Sequence, residues 1–129
     1  MNKVVVGIIS RIINGHQEWL LASAVKDFGE YTGYYYPPGG HVEEGESIAE
    51  ALTREIKEEL DLDAKPIAQI AATPGDVVDQ ETYWWSCEVT GQIKLDPELS
   101  DAQYFTKEQI ESEIKVWPAT RDFFEQHIF

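Results

Sequence analysis

One stretch limits the folds open to this chain more than any other, a capped amphipathic helix from Ser47 to about Leu60 set between runs that read as strands. Ser47 followed by Glu50 is a capping-box signature, in which hydroxyl and carboxylate each satisfy a backbone N–H at the helix start. At about 100° per residue, Ala49, Leu52, Ile56 and Leu60 form one apolar stripe, and Glu55, Glu58 and Glu59 share an arc beside it. Like charges at such spacing destabilise an isolated helix. At the margin of a core they mark a place where a bound cation outweighs their repulsion.

Around the helix the signals are those of strands and turns. Val4 to Ser10 is apolar and β-branched, Trp19 to Val25 is a second apolar run, and the polar Arg11 to Glu18 between them holds the turn pair Asn14-Gly15, so the two read as adjacent strands. Asp27 to Gly33 reads as a mobile loop, Tyr34 to Tyr36 as a short strand, and Pro37-Pro38-Gly39-Gly40 as a turn. Ile67 to Ala72 and Glu81 to Thr90 are strands about a turn at Thr73 to Asp76, with a further short strand at Tyr104-Phe105. Lys107 to Ile114 suits a short helix, and Pro118 at a first helical position introduces a terminal helix over Ala119 to His127. Strands on both sides of a central helix predict an α/β fold with a mixed sheet flanked by helices.

Length and composition set the outer bounds. At 129 residues with 43% hydrophobic side chains, a single domain over residues 1–129 with one core is expected. The lone Cys87 lies in the apolar run Tyr83 to Val89, so it is expected to be a buried thiol, and no disulfide forms within the chain. Val4 to Ile9 is too short for a secretory leader, and no run approaches the ~20 apolar residues of a membrane-crossing helix. A cytoplasmic protein without a membrane partner is the expectation. A net charge of −14 opposes a nucleic acid polymer at the general surface. A small phosphorylated ligand stays open, because bound divalent ions reverse the local potential.

Gly40, Glu46, Arg54, Glu55, Ile56, Glu58, Glu59 and Leu62 stand at the spacing of the Nudix box, G-x5-E-x7-R-E-U-x-E-E-x-G-U with U a bulky aliphatic residue. The segment therefore resembles that family, and Pro38-Gly39-Gly40, Val42, Glu43 and Gly45 are also typical of it. Asp61 is the one departure, standing where the family has Gly past the helix end. An Asp reaches the left-handed conformation such a stop requires at some cost, so the fold is expected to survive. The resemblance implies the Nudix fold, an α/β/α sandwich with a mixed sheet.

It also implies a chemistry, hydrolysis of a pyrophosphate link in a nucleoside diphosphate carrying a further group. That reaction needs shielded phosphate oxygens, an aligned water and a stabilised leaving group. Carboxylate-held Mg2+, or Mn2+ in its place, supplies all three. Glu55, Glu58 and Glu59 are then the metal ligands, with the resemblance adding a backbone carbonyl of Gly39 or Gly40. Arg54 is placed to brace the site through Glu46 or a ligand carboxylate. Many members recruit a further acid before a late strand; Glu98 is the candidate, with Asp96 and Asp101 as rivals. Which carboxylate activates the water stays open.

The remaining candidates are weaker. Tyr36, Trp84 and Trp85 are the aromatic residues offered for stacking on a base, one of the two tryptophans foremost. His16, His41 and His127 lack ligand spacing, and Lys26, Lys94 and Arg121 read as solvated surface. Trp117 to Arg121 reads as an anchor for the last helix. Nucleoside triphosphates, oxidised or noncanonical ones included, are the first substrate class, followed by ADP-ribose or other nucleotide sugars and dinucleoside polyphosphates. Two non-enzymatic alternatives are a nucleotide-sensing Nudix domain and an acidic calcium module; the helical placement of the acids speaks against the second. Family members often form homodimers, which leaves oligomeric state open.

Overall fold

The computed structural model describes residues 2–129, and in it the first apolar run splits at Ile9 into strands that serve different sheets. β1 (Asn2–Ile8) ends there, and β2 (Ser10–Ile13) turns back through Asn14-Gly15 into β3 (His16–Ala24). Asn14 and Gly15 have φ of 50° and 79°, the sign that a two-residue hairpin turn matching strand twist requires. The polar link expected over Arg11 to Glu18 is therefore mostly ladder, with Arg11 opposite Glu18 and Ile13 opposite His16. Ile9 keeps the sheets joined, its carbonyl accepting the Leu20 N–H at 2.9 Å.

Beyond the hairpin come β4 (Gly39–His41), α1 (Ile48–Leu60), β5 (Asp63–Pro74), β6 (Gln80–Thr90), β7 (Leu99–Thr106) and α2 (Pro118–Phe123). One sheet has the order β4-β1-β6-β5 and the other β2-β3-β7. The first is mixed, because β1 runs parallel to β6 while its other pairs are antiparallel. β1 and β3 bury consecutive residues, Val5 with Val6 and Leu20 with Leu21, as strands covered on both faces do. Val5, Leu20 and Cys87 pack with Leu52, Ile56 and Leu60 of α1. Val6, Leu21 and Trp84 pack on the other side with Phe123 and Phe124 of the C-terminal arm. Leu52 and Ile56 are fully buried, each worth about 1.5–3 kcal/mol relative to an exposed side chain. The result is the expected α/β/α layering.

Both ends of α1 follow from the sequence. Ser47 Oγ accepts the Glu50 N–H at 3.1 Å and Glu50 Oε1 accepts the Ser47 N–H at 2.9 Å. At the other end Asp61 adopts φ 57°, ψ 29°, its N–H donates to the Lys57 carbonyl, and its carboxylate lies 3.3 Å from Lys57 Nζ.

Three expectations are revised. Tyr34 to Tyr36 forms no strand but single bridges, Tyr35 to Val116 and Tyr36 to Ala22. The strand falls instead on Gly39–His41, where the Gly-Gly pair read as a turn. β5 begins before Pro66, which an edge strand tolerates, and its register shifts there. The two C-terminal helices fall where the pattern puts them, the first as π-type turns over Gln109–Glu113 and the last as α2 continued by π-type turns over Phe124–Ile128.

Candidate active site

Arg54 is the hub from which the site is built. Its Nε and second terminal nitrogen hold Glu46 in a fork at 2.7 and 3.0 Å. The same head donates to the His41 carbonyl at 3.0 Å, to Glu55 at 2.9 Å and to Glu58 at 3.2 Å, with Glu43 3.7 Å away. Glu46 is placed in turn by accepting the Glu43 N–H at 2.9 Å. One guanidinium thus ties the loop before α1, the end of β4 and two carboxylates of α1 together. The Glu46 hydrogen bond is the main reason its proton is held more tightly than usual, and it keeps the Glu46 carboxyl below its ordinary range.

Glu55 lies against Gly40 so closely that a Cβ there would sit 2.4 Å from its carboxylate. Gly39 is tighter still, since a Cβ would meet the Val5 carbonyl oxygen at 2.0 Å. The Gly-Gly pair is thus what lets β4 pass between β1 and the acid face of α1. Glu59 is the most sequestered acid. Its Oε2 is buried without a hydrogen-bond partner. Burial above all, then the Glu55 charge, pushes its carboxyl up to about 8, with the Gly39 N–H pulling the other way. Glu58 is the outer member, 59% exposed and turned to Arg54. Among the described residues no three acidic, imidazole or thiol groups converge closely enough to enclose a cation as they stand.

A loop from the far side of the fold completes the acid cluster. The Lys94 and Asp96 N–H groups donate to the carbonyls of Leu60 and Glu59, each at 2.9 Å, so the segment before β7 docks on the free carbonyls of α1. Asp96 then accepts the Glu98 N–H at 3.0 Å, and the Glu98 carbonyl accepts the Val25 N–H at 2.9 Å. Asp96 adds to the field at Glu59. The Tyr36 hydroxyl is pushed up by burial and by the charges of Glu59 and Glu98, so Tyr36 and Glu98 both belong to this neighbourhood. Asp101 does not, because it accepts the Tyr35 and Gln103 side chains on β7.

Beside Gly39 and Gly40 opens a cleft of about 440 Å³ between the outer face of β1 and β6, the arm around α2, and the loop after β3. Tyr36, Phe28 and Trp117 line it, as do Lys26 and Asp76. Phe28 and Trp117 meet edge to face at 5.3 Å, and Tyr31 stacks on Trp117 at 4.8 Å. The loop read as mobile is internally tied, Asp27 accepting the Gly29 N–H at 2.8 Å and the Thr32 hydroxyl at 3.1 Å.

Of the two tryptophans expected to stack on a base, Trp84 borders the cleft but is committed to the core, and Trp85 lies away from the cleft. Trp84 is 2% exposed, lies parallel to Phe123 at 4.2 Å, and donates its indole N–H to Thr73. Trp85 faces the opposite side of β6, against the core beneath α1, and does not line the cleft. Phe28 and Trp117 are aromatic rings that line the cleft beside Tyr36. Trp117 read as an anchor and Lys26 as surface because the cleft is assembled from distant segments. Asp76, in the β5–β6 turn, carried no sequence signal at all. Arg121 instead binds the Glu111 carbonyl at 3.0 Å, His127 stacks on Phe123, and buried Cys87 has its thiol pushed up to about 11 by desolvation.

The sequence profile of the NUDIX domain matches residues 1–127. Over 95 residues the chain is 43% identical to the 8-oxo-dGDP phosphatase of Danio rerio, covering 70% of this chain and 27% of that protein. Over 104 residues it is 30% identical to the NAD-capped RNA hydrolase of Haemophilus influenzae, covering 79% of this chain and 39% of that one. The chain therefore spans 27 to 39% of the length of these curated relatives. The MutT protein from Methanosarcina mazei Go1 superposes with a TM-score of 0.76 at 25% identity, covering 97% of this chain and 91% of that structure. No helix among the described residues is long and apolar enough to cross a membrane. With the profile spanning nearly the whole length and the glutamate-bearing helix packed against its Gly-Gly strand, the chain belongs to the Nudix hydrolase family.

Proposed function

We propose that this chain hydrolyses the pyrophosphate bond of a nucleoside diphosphate linked to a further group, with Mg2+, replaceable by Mn2+, as the metal. Nucleoside triphosphates, oxidised or noncanonical ones included, are the first class of substrate. The observation that carries this reading is Glu59, a carboxylate whose buried Oε2 has no partner, beside Glu55 and under the Gly-Gly strand. Leaving such an oxygen unpaired costs roughly 1–3 kcal/mol, more for a charged group, so it calls for a ligand rather than for structure.

Nudix hydrolases generally use divalent metal ions, and these residues fit one. The donors are all hard oxygens, which suit Mg2+ or Mn2+. Glu55, Glu58 and Glu59 would hold it together with a carbonyl of Gly39 or Gly40, Glu58 leaving Arg54 to do so. When bound, such an ion shields phosphate oxygens and lowers the pKa of water. The chain's own groups do the rest. Arg54, through Glu46 and the His41 carbonyl, keeps the carboxylates aimed. Glu98, docked with Asp96 beside Glu59 and Tyr36, is the candidate to take the proton of the attacking water. Phe28, Trp117 and Tyr36 wall the nucleoside, and Lys26 offers a cation to phosphate or ribose.

The 8-oxo-dGDP phosphatase relative supports an oxidised nucleotide as first choice. The similarity to an NAD-capped RNA hydrolase keeps dinucleotide or nucleotide-sugar pyrophosphates as the second reading. A cytoplasmic location accompanies either substrate. The test is a panel of nucleotides with Mg2+ or Mn2+, measuring phosphate, pyrophosphate and nucleoside monophosphate released. Turnover of at least one compound is expected, with a fall of at least about a hundredfold, or about 2.7 kcal/mol, in Glu58→Gln. An unchanged rate in that variant would overturn the ligand assignment. Stabilisation by a nucleotide without turnover across the panel would make the chain a sensor instead.

A further inference from the structure

Where β1 and β2 part at Ile9, the fork between their two sheets is left unfilled. Ile8 closes β1 opposite Ser86 of β6, whereas Ser10 opens β2 opposite Trp19 of β3, and all four border one cavity of about 560 Å³. Gln17 lies on the same face of β3 as Trp19 and borders it too. Ile70 bounds the cavity from β5, where the register of that edge strand shifts, and Phe129 bounds it from the C-terminal arm. A volume of this size suits a small organic molecule.

The cavity is separate from the cleft beside Gly39. Trp84 borders the cleft and lies parallel to Phe123 at 4.2 Å, while His127 borders the cavity and stacks on the same Phe123 at 5.0 Å. These rings divide the face of β1, with Val4 and Val6 on the cleft side and Ile8 on the other.

The chemistry of its wall departs from that of the whole chain. Acidic residues outnumber basic ones by 24 to 10, yet no Asp or Glu borders the cavity and Lys107 does. Among the described residues Lys107 forms no ion pair, and its ammonium stands 5.4 Å from the centre of the Phe129 ring. Trp19 meets the same ring edge to face at 5.3 Å, which brings a second donor into that neighbourhood. Trp84 and Trp85 donate their indole N–H groups to Thr73 and Gln69, whereas the Trp19 N–H has no partner among the described residues. It is not sealed in, because Glu59 Oε2 is the one wholly buried side-chain nitrogen or oxygen there without a partner. Trp19 is only 6% exposed and borders the cavity, so a ligand in the cavity is what can accept that N–H.

We propose that this cavity binds a small aromatic carboxylate, with its ring against Ile8 and Ile70 and its oxygens shared between Lys107 and the Trp19 N–H. A carboxylate only accepts hydrogen bonds and has an oxygen for each donor. One ammonium balances one negative charge, so a monoanion is matched where a phosphate dianion would bring an uncompensated charge to a strongly negative protein. The site uses no residue of the acid cluster and stands whether or not the chain is a hydrolase.

The test is an NMR titration of the isotope-labelled protein in EDTA with naphthoate, naphthamide and naphthylmethylammonium. The four indole N–H signals are followed, each assigned by a tryptophan-to-phenylalanine variant. Naphthoate is expected to move the Trp19 signal saturably, with a dissociation constant of roughly 1 mM or below, and to leave the Trp117 signal in the cleft in place. The amide should bind about three- to fivefold more weakly, and the ammonium compound more weakly still. Lys107→Gln should weaken naphthoate about three- to fivefold and Lys107→Glu at least about tenfold, with the amide unaffected by the first. Equal affinity for naphthoate and the amide in wild type would overturn the inference. So would a shift of Trp117 in place of Trp19, no saturation up to roughly 10 mM, or an unchanged naphthoate affinity in Lys107→Glu shown by its melting temperature to be folded.

Discussion

In the metal-free protein at pH 8.5, Glu59→Gln is expected to raise stability by about 2 to 5 kcal/mol, even as it removes a proposed metal ligand. The magnitude follows from burial. A carboxyl ordinarily near 4.5 that keeps its proton to about 8 in the native state binds more protons folded than unfolded throughout that interval. Stability therefore falls as pH rises from 4.5 to 8, by at most about 1.4 kcal/mol per pH interval of one. Below 4.5 both states hold the proton and nothing is lost; above 8 both are ionised and the full penalty stands. Gln resembles the protonated acid, since its carbonyl can accept the Gly39 N–H and its amide can donate to Glu55. At pH 4.5 the variant and wild type should be equally stable within about 0.5 kcal/mol.

Urea denaturation of both proteins in EDTA, at intervals from pH 4.5 to 8.5, gives the difference directly. Groups common to both cancel, and what is left belongs to Glu59 with its neighbour Glu55. Adding Mg2+ at pH 8.5 should narrow that gap. Wild type gains about 2.7 kcal/mol at a hundred times its dissociation constant, and the variant gains far less. Parallel profiles across the pH range, or a variant less stable than wild type at pH 8.5, would refute the reasoning. The first would mean that Glu59 ionises without cost, the second that its charge supports the fold.

Gly40→Ala places a methyl 2.4 Å from the Glu55 carboxylate, the movable end of a side chain, so the fold should hold while hydrolysis falls at least about a hundredfold; circular dichroism beside steady-state kinetics checks both. Arg54→Lys keeps the charge but loses the fork on Glu46 and the bond to the His41 carbonyl. Metal affinity measured by calorimetry should drop about 10- to 100-fold. Asp61→Gly relieves a left-handed residue but loosens the unfolded chain and loses the Lys57 pair. The net change in unfolding free energy should stay within about 0.5 kcal/mol, with turnover unaltered.

α1 was legible because everything that specifies it is local. Its cap, its stripe and its acid arc lie within a few turns of one element, and the structure has them there, except that Ala51 rather than Ala49 joins Leu52, Ile56 and Leu60 in the core. The strands were legible as apolar runs and illegible as partners. Nothing between Val4 and Ser10 signals that the chain changes sheets at Ile9, since a strand buried on both faces has no alternation to interrupt. β4 was hidden for the opposite reason. Two glycines read as a turn by local propensity, yet the open edge of β1 and the closeness of Glu55 demand an extended strand without side chains. Tyr34 to Tyr36 carries high strand propensity but meets only single bridging residues, so propensity lost to the absence of a partner.

The site divides along the same line. Its acids and Arg54 sit on one helix and the turn before it, and could be named from spacing. Glu98 could not be told from Asp101 by spacing, because what separates them is that β7 turns Asp101 toward Tyr35 while the preceding loop docks Lys94 and Asp96 on the end of α1 and ties Glu98 to Asp96. The cleft is spread further still, across β1, the loop after β3, the β5–β6 turn, β6 and the arm around α2. Trp84 and Trp85 show why reading along the chain fails there. They are adjacent and equally aromatic, yet one fills the core against Phe123 and the other faces α1. The two halves are consequently separable by mutation. Substitutions on α1 near Gly40 are expected to strike the acid cluster, whereas changes in the turn around Asp76 reach the far end of the cleft without touching Arg54 or any glutamate of α1.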